Sequence, residues 1–173
     1  VTMKNTIKIF DGHNDTLTSA ALAGETGYKR FLTGCDDIHI DLPKSIAGGL
    51  AGGIFAIFIR NVEGMEHISH AYAAEKADEF LDLLGNIEKY SDARVRVCRD
   101  YQQIQTAISA GSLAIMPHFE GAEPIAENLS DLEYWYSRGL RSLGLCWSRE
   151  NAFGKGVSFG FGNSSDNGPG LTA

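Results

Sequence analysis

Gly52-Gly53-Ile54-Phe55-Ala56-Ile57-Phe58-Ile59 carries no polar side chain over its whole length. A strand with one wet face alternates apolar and polar residues. A run that is apolar throughout needs cover on both faces, as in a parallel sheet flanked by helices. The following text supplies such cover. From 65 to about 90, Ile68, Tyr72, Ala73, Ala77, Phe80, Leu83, Leu84 and Ile87 recur at three- and four-residue steps. That is the apolar stripe of an amphipathic helix, and a strand followed by a long helix opens a crossover unit.

The pattern extends in both directions. Upstream, residues 6–10 form a short β-branched strand that runs into the polar Asp11-Gly12-His13-Asn14-Asp15. Residues 17–22 suit a short helix, and a loop bearing Gly24, Gly27 and Gly34 follows. Downstream, 95–98 is a third strand. Asp100 is placed to N-cap a helix through Ala110, with Gly111 just past its end. Residues 113–119 make a fourth strand leading into Glu120. Ser130-x-x-Glu133 reads as a capping box opening a helix through Arg138, closed by Gly139, and 140–147 is a fifth strand.

The order β, β, α, β, α, β, α, β requires crossover connections and therefore a parallel sheet, either open and doubly wound or closed as a barrel. At 173 residues the chain can bury the core of one domain, whereas a closed eight-stranded α/β barrel usually takes about 250 residues. In both architectures function gathers at the C-terminal strand ends. The two most polar of those ends carry His13 with Asp15, and Glu120.

Composition narrows the partners. An apolar fraction of 43% with 21% charged residues describes a packed globular protein rather than a disordered one. The net charge of −7, with no basic stripe, argues against nucleic acid. Cys35, Cys98 and Cys146 are odd in number and widely spaced, which suggests buried thiols rather than a disulfide framework or a cysteine zinc site. No run approaches the roughly 20 apolar residues of a membrane span, and no signal-peptide core is visible. A cytoplasmic location is the expectation, subject to whatever preceded Val1.

His13 and Asp15 stand two apart on an extended segment, so both side chains point to one face and can meet on one ion. Taken alone, the triplet equally fits a hydrogen-bonded histidine in a turn beside an Asp. Glu120 sits where a barrel places a metal-bridging or basic carboxylate, though a surface Glu in a loop has the same local sequence. His118 shares the face of Glu120 and reads as a satisfied polar group on an apolar strand. His67 and His70, near Glu63 and Glu66, read as a solvated helix face. Gly48-Gly49-x-x-Gly52-Gly53 precedes a strand and lacks the Lys-Ser/Thr of a phosphate loop, so nucleotide binding is rejected.

Several stretches together resemble the membrane (renal) dipeptidase family of zinc peptidases, amidohydrolase-like (β/α)8 TIM-type barrels. They are Asp11-Gly12-His13-Asn14-Asp15, His39-Ile40-Asp41-Leu42-Pro43, Ala47-Gly48-Gly49, Phe119-Glu120-Gly121-Ala122, the run from Tyr134 to Leu145, Asn151, and Gly170-Leu171-Thr172. They keep the family's order and span nearly the whole chain. The resemblance implies that residues 1–173 are the N-terminal portion of one barrel domain, covering about its first five strands. It further implies two zinc ions in the complete enzyme, with His13 and Asp15 on the first and Glu120 as the bridging, catalytic carboxylate. In such enzymes a hydroxide held between the ions would attack the carbonyl of a dipeptide. The second ion's histidines, and an Asp near the water, are expected after residue 173. Some members carry a substrate-holding His after the fifth strand, where this chain has Trp147. His118 is also unusual there and could add a polar group to the site. A homodimer is compatible with this reading. Two rivals remain: a related hydrolase of N-acyl amino acids or lactams, and a metal-free binding or structural homologue.

Overall fold

The computed structural model describes residues 7–61 and 68–156. Five strands form one parallel sheet: β1 (Ile9–Asn14), β2 (Leu50–Ile57), β3 (Val95–Val97), β4 (Leu113–Glu120) and β5 (Ser142–Gly144). β1 pairs with β2, and β2 pairs with β4. The other edge of β4 is shared. β3 takes its start, with Val95 opposite Leu113, and β5 takes its end, with Glu120 opposite Gly144. β1, β2, β4 and β5 therefore stand side by side as a parallel half-barrel, the expected fold class, while β3 is a short filler beneath β5.

Helices follow the strands: α1 (Thr16–Ala21), α2 (Gly27–Thr33) and α3 (Leu42–Gly48) after β1, α4 (His70–Tyr90) after β2, α5 (Tyr101–Ser109) after β3 and α6 (Leu132–Arg138) after β4. α5 packs through Ala107 on Ala114 and Cys98 in a small separate cluster, whereas α1 to α4 and α6 cover one face of the sheet. Phe55 and Ile57 of β2, with Ile115 and Phe119 of β4, are fully buried there among Leu17, Phe31, Ala77, Leu84, Ile87 and Trp135. The alternate residues of β4, Met116, His118 and Glu120, are only half-buried. They line the inner face, where the register sets Met116 beside Ile54 and His118 beside Ala56.

Some element ends differ from the sequence-based expectation. β1 runs to Asn14, so His13 lies within the strand, while residues 1–6 lie outside the described residues. The glycine-bearing loop contains a 3-10 turn at Gly24–Thr26 and the helix α2. Gly27 there serves close approach rather than a turn, because a Cβ on it would overlap the Ala20 carbonyl of α1. The capping box does not form. α6 starts after Asp131, whose carboxylate is occupied by the Ala126 N–H (2.9 Å) and His70 (2.9 Å). β5 keeps only three residues. Asp100 does cap α5, accepting from the Gln103 N–H at 2.8 Å.

α3 begins within His39-Ile40-Asp41-Leu42-Pro43, with Asp41 as its N-cap, and this start explains that stretch. Asp41 is fully buried. Its Oδ1 accepts the Lys44 N–H (2.8 Å), and its Oδ2 accepts the Cys35 N–H (3.2 Å) and faces Lys44 Nζ at 3.0 Å. Burial alone would raise the carboxyl pKa, but these donors outweigh it and hold Asp41 below its ordinary value.

Candidate metal centre

β2 separates β1 from β4, so their backbones stand about 10 Å apart, two strand spacings. Side chains from the two meet only by leaning over β2, which offers just Ala56 at the His118 level. They do meet. His13 Nε2 lies 3.4 Å from Glu120 Oε2 and 4.0 Å from Asp15 Oδ1. One ligand atom from each of His13, Asp15 and Glu120 falls within 4.8 Å of the others.

Asp15 arrives by a route the sequence did not show. It has left the strand, with φ −96° and ψ 23°, at the N-cap position of α1. The buried Asn14 side chain makes the bend by donating to Asp11 Oδ2 (2.8 Å) and accepting the Thr16 N–H (3.3 Å). The H-x-D pair therefore converges through a pinned turn, not through strand alternation.

His13 and Asp15 are exposed, and Glu120 is half-buried. Burial first, and then the nearby Asp15 carboxylate, push the Glu120 carboxyl above its ordinary pKa, while His13 opposes the shift. Two carboxylates turned toward each other around an imidazole form a repulsive set that a cation relieves. One nitrogen and two carboxylate oxygens are ligands that zinc accepts, so the donor set fits that ion.

His118 lies beside this group and not in it. Its Nδ1 pairs with Ser142 Oγ at 2.8 Å, and its ring stands edge-on to His13, 5.6 Å between centroids. Burial, then His13, lower its pKa. Trp147, beyond β5, packs edge-on against Phe58 at 5.0 Å. His70 pairs with Asp131, and His67 lies outside the described residues. Gly49 ends α3 in the left-handed conformation, which accounts for the glycine run before β2 without a phosphate. The three cysteines are free thiols. No described helix is long and apolar enough to cross a membrane.

Sequence reasoning missed a buried ion pair at the same rim, between Arg149 beyond β5 and Glu123 beyond β4. The available signal was one charge of each sign in the loops after adjacent strands.

The family model for the membrane dipeptidases (peptidase family M19) matches residues 2–173. A crystal structure of the dipeptidase AC, a metallopeptidase of family M19, superposes with a TM-score of 0.89 at 37% identity, covering 97% of this chain and 51% of that one. A metallopeptidase from Rhodobacter sphaeroides, bound to a phosphinate mimic of the dipeptide L-Ala-D-Ala, gives 0.88 at 34% identity over 97% and 53%. An uncharacterized protein in the PQQ-III 3′ region of Acinetobacter calcoaceticus is 35% identical over 186 aligned residues, 96% of this chain and 57% of that protein. The chain thus spans about half the length of these relatives.

Proposed function

We propose, from the premise that the chain belongs to the membrane dipeptidase family (peptidase family M19), that His13, Asp15 and Glu120 belong to a zinc centre that hydrolyses the peptide bond of dipeptides. In this reading residues 1–173 are the N-terminal portion of a single barrel domain, whose remaining strands complete a two-ion site. The convergence of the three side chains within 4.8 Å carries the reading.

Zinc, when bound, supplies Lewis acidity toward the amide carbonyl and a hydroxide nucleophile near neutral pH. The chain's own residues set the place. His13 offers Nε2, Asp15 offers one oxygen, and Glu120 offers two, so that its carboxylate can serve two ions at once. Phe58 follows Ile57, which pairs with Phe119, and so lies level with Glu120. Trp147 packs edge-on against Phe58 at 5.0 Å, which adds an aromatic pair near that strand end. The substrate class follows the dipeptidase relatives, one of which holds the L-Ala-D-Ala mimic.

The test uses the completed barrel chain. After chelation and readdition of zinc, hydrolysis of L,L- and L,D-dipeptides is measured beside a panel of N-acyl amino acids and lactams. Zinc-dependent dipeptide cleavage, lost in His13→Ala and Glu120→Gln, is the expected result. Cleavage of the N-acyl or lactam panel alone would favour the rival hydrolase. No zinc binding and no hydrolysis would favour the metal-free homologue.

A further inference from the structure

Arg149 ties together the ends of three strands at the rim that carries Glu120. Its largely buried guanidinium donates from Nε (3.1 Å) and Nη2 (2.8 Å) to Glu123 Oε1, beyond β4. It also donates from Nη2 to the Ile59 carbonyl (2.9 Å) and from Nη1 to Asn61 Oδ1, both beyond β2. It stands 5.7 Å from the centre of the Phe58 ring. One planar fork thus spans the half-barrel rim from β5 across β4 to β2, a geometry that a lysine point charge does not reproduce.

The clasp reaches the metal centre through a short turn. Right after Glu120 the chain bends at Gly121, with φ +107°. The Gly121 and Ala122 N–H groups then donate to the Gly144 and Leu145 carbonyls at 2.9 and 3.0 Å, which lays the turn on the end of β5. Glu123 packs against the inside of that turn, since a Cβ on Gly121 would overlap its Oε2. Only 6% of the Glu123 side chain is exposed, and Oε2 is buried without a hydrogen-bond partner among the described residues. Among the described residues the carboxylate is therefore held through Oε1. A buried ion pair that leaves one oxygen unsatisfied is weak evidence for stability, so its use is better sought in what it positions.

We propose that Arg149 is a positioning residue for the metal centre: acting through Glu123, it fixes the turn at Gly121 and so holds the Glu120 carboxylate against His13. The inference rests on the metallopeptidase reading. Partners that orient metal ligands from outside the coordination sphere typically change metal affinity about tenfold or more when removed.

The experiment measures zinc affinity of the completed barrel chain by competition with a chromophoric chelator, and the melting temperature of the metal-free protein. The proteins are wild type, Arg149→Met, Arg149→Lys, Glu123→Gln, the double variant Arg149→Met with Glu123→Met, and Glu120→Gln. Arg149→Met and Glu123→Gln are expected to weaken zinc binding about tenfold or more. The double variant should be no weaker than the worse single one, and Arg149→Lys should recover part of the loss. A clasp that is structural only would lower the melting temperature and leave zinc affinity within about twofold of wild type, which overturns the proposal. Should Arg149→Met not fold, Arg149→Lys and Glu123→Gln decide by the same criterion. Wild type binding zinc, with Glu120→Gln deficient and the Arg149 series unchanged, refutes the clasp alone. A wild type that binds no zinc refutes the metal reading and the clasp together.

Discussion

Glu120→Gln is expected to stabilise the metal-free protein while removing its response to zinc. The Asp15 and Glu120 ligand oxygens lie within 4.8 Å of each other. Two unit charges at that separation repel by roughly 1 kcal/mol at the dielectric of water and about 3 kcal/mol at an effective value near 20. The Asp15 side chain is 62% exposed, so solvent screening places the relief near the lower figure. The glutamine also keeps polar atoms for His13 Nε2, 3.4 Å from the present carboxylate. In a chelator, the variant should therefore melt about 1–2 °C above wild type for a barrel-sized chain. In zinc at a hundredfold excess over Kd, wild type gains about 2.7 kcal/mol that the variant lacks, and the order reverses. Thermal unfolding followed by circular dichroism, with and without zinc, reads both signs. A variant that melts below wild type in the chelator, or that shifts with zinc as much as wild type, refutes the repulsive-ligand argument.

Gly121→Ala should cost about 2–3 kcal/mol in urea unfolding of the completed barrel chain, because the left-handed φ and the overlap with Glu123 Oε2 act together; a loss below about 0.5 kcal/mol would contradict the turn geometry. Asp41→Asn should destabilise at neutral pH. The Asp41 carboxyl is held below its ordinary value, so its contribution is complete above the unfolded pKa of about 3.9 and is lost as pH falls through the folded one. The gap between wild type and variant, followed by urea unfolding from pH 7 to 3, should narrow only at the acid end, and a gap constant with pH refutes the assignment. Residues 1–173 expressed alone should neither hydrolyse dipeptides nor run as a stable monomer, since β1 and β5 each have one edge unpaired among the described residues. Size-exclusion chromatography and a dipeptide assay check this, and a monodisperse, active chain is the contrary result.

The elements legible from sequence were those whose pattern has one physical solution. The run Gly52 to Ile59, apolar on both faces, overlaps the central strand β2, which starts two residues earlier at Leu50 and ends at Ile57, and the stripe from Ile68 to Ile87 marks α4, which begins at His70. α2 was illegible because Gly27 looks like a loop marker while serving as a contact surface for α1. The sharing of one β4 edge by β3 and β5 was equally hidden, since three-residue strands carry no periodicity that could fix their neighbour. At the candidate site, His13, Asp15 and Glu120 were singled out by their place at strand ends, and the fold brings the three side chains together. The turn pinned by Asn14, and the Arg149 pairing with a Glu123 26 positions away, depend on tertiary geometry that no local pattern encodes.

The strand order explains why these three side chains can form a centre at all. Side chains at the ends of β1 and β4 meet across an intervening strand, and Ala56 on the inner face of β2, beside His118, leaves room for that approach. The outer face of the same strand carries Phe55 and Ile57 into the core. Near the site β2 thus sets a small inner residue, Ala56, between two large outer ones, which serves folding and the convergence of the site side chains at once. The energetics point the same way. A chain selected for stability alone would not half-bury Glu120 facing Asp15, nor leave Glu123 Oε2 without a partner among the described residues. Both are local costs at the rim where the ladder ends and the fold needs them least. Their concentration within four residues after Phe119 is a physical reason for the proposal to put the chemistry at that strand end.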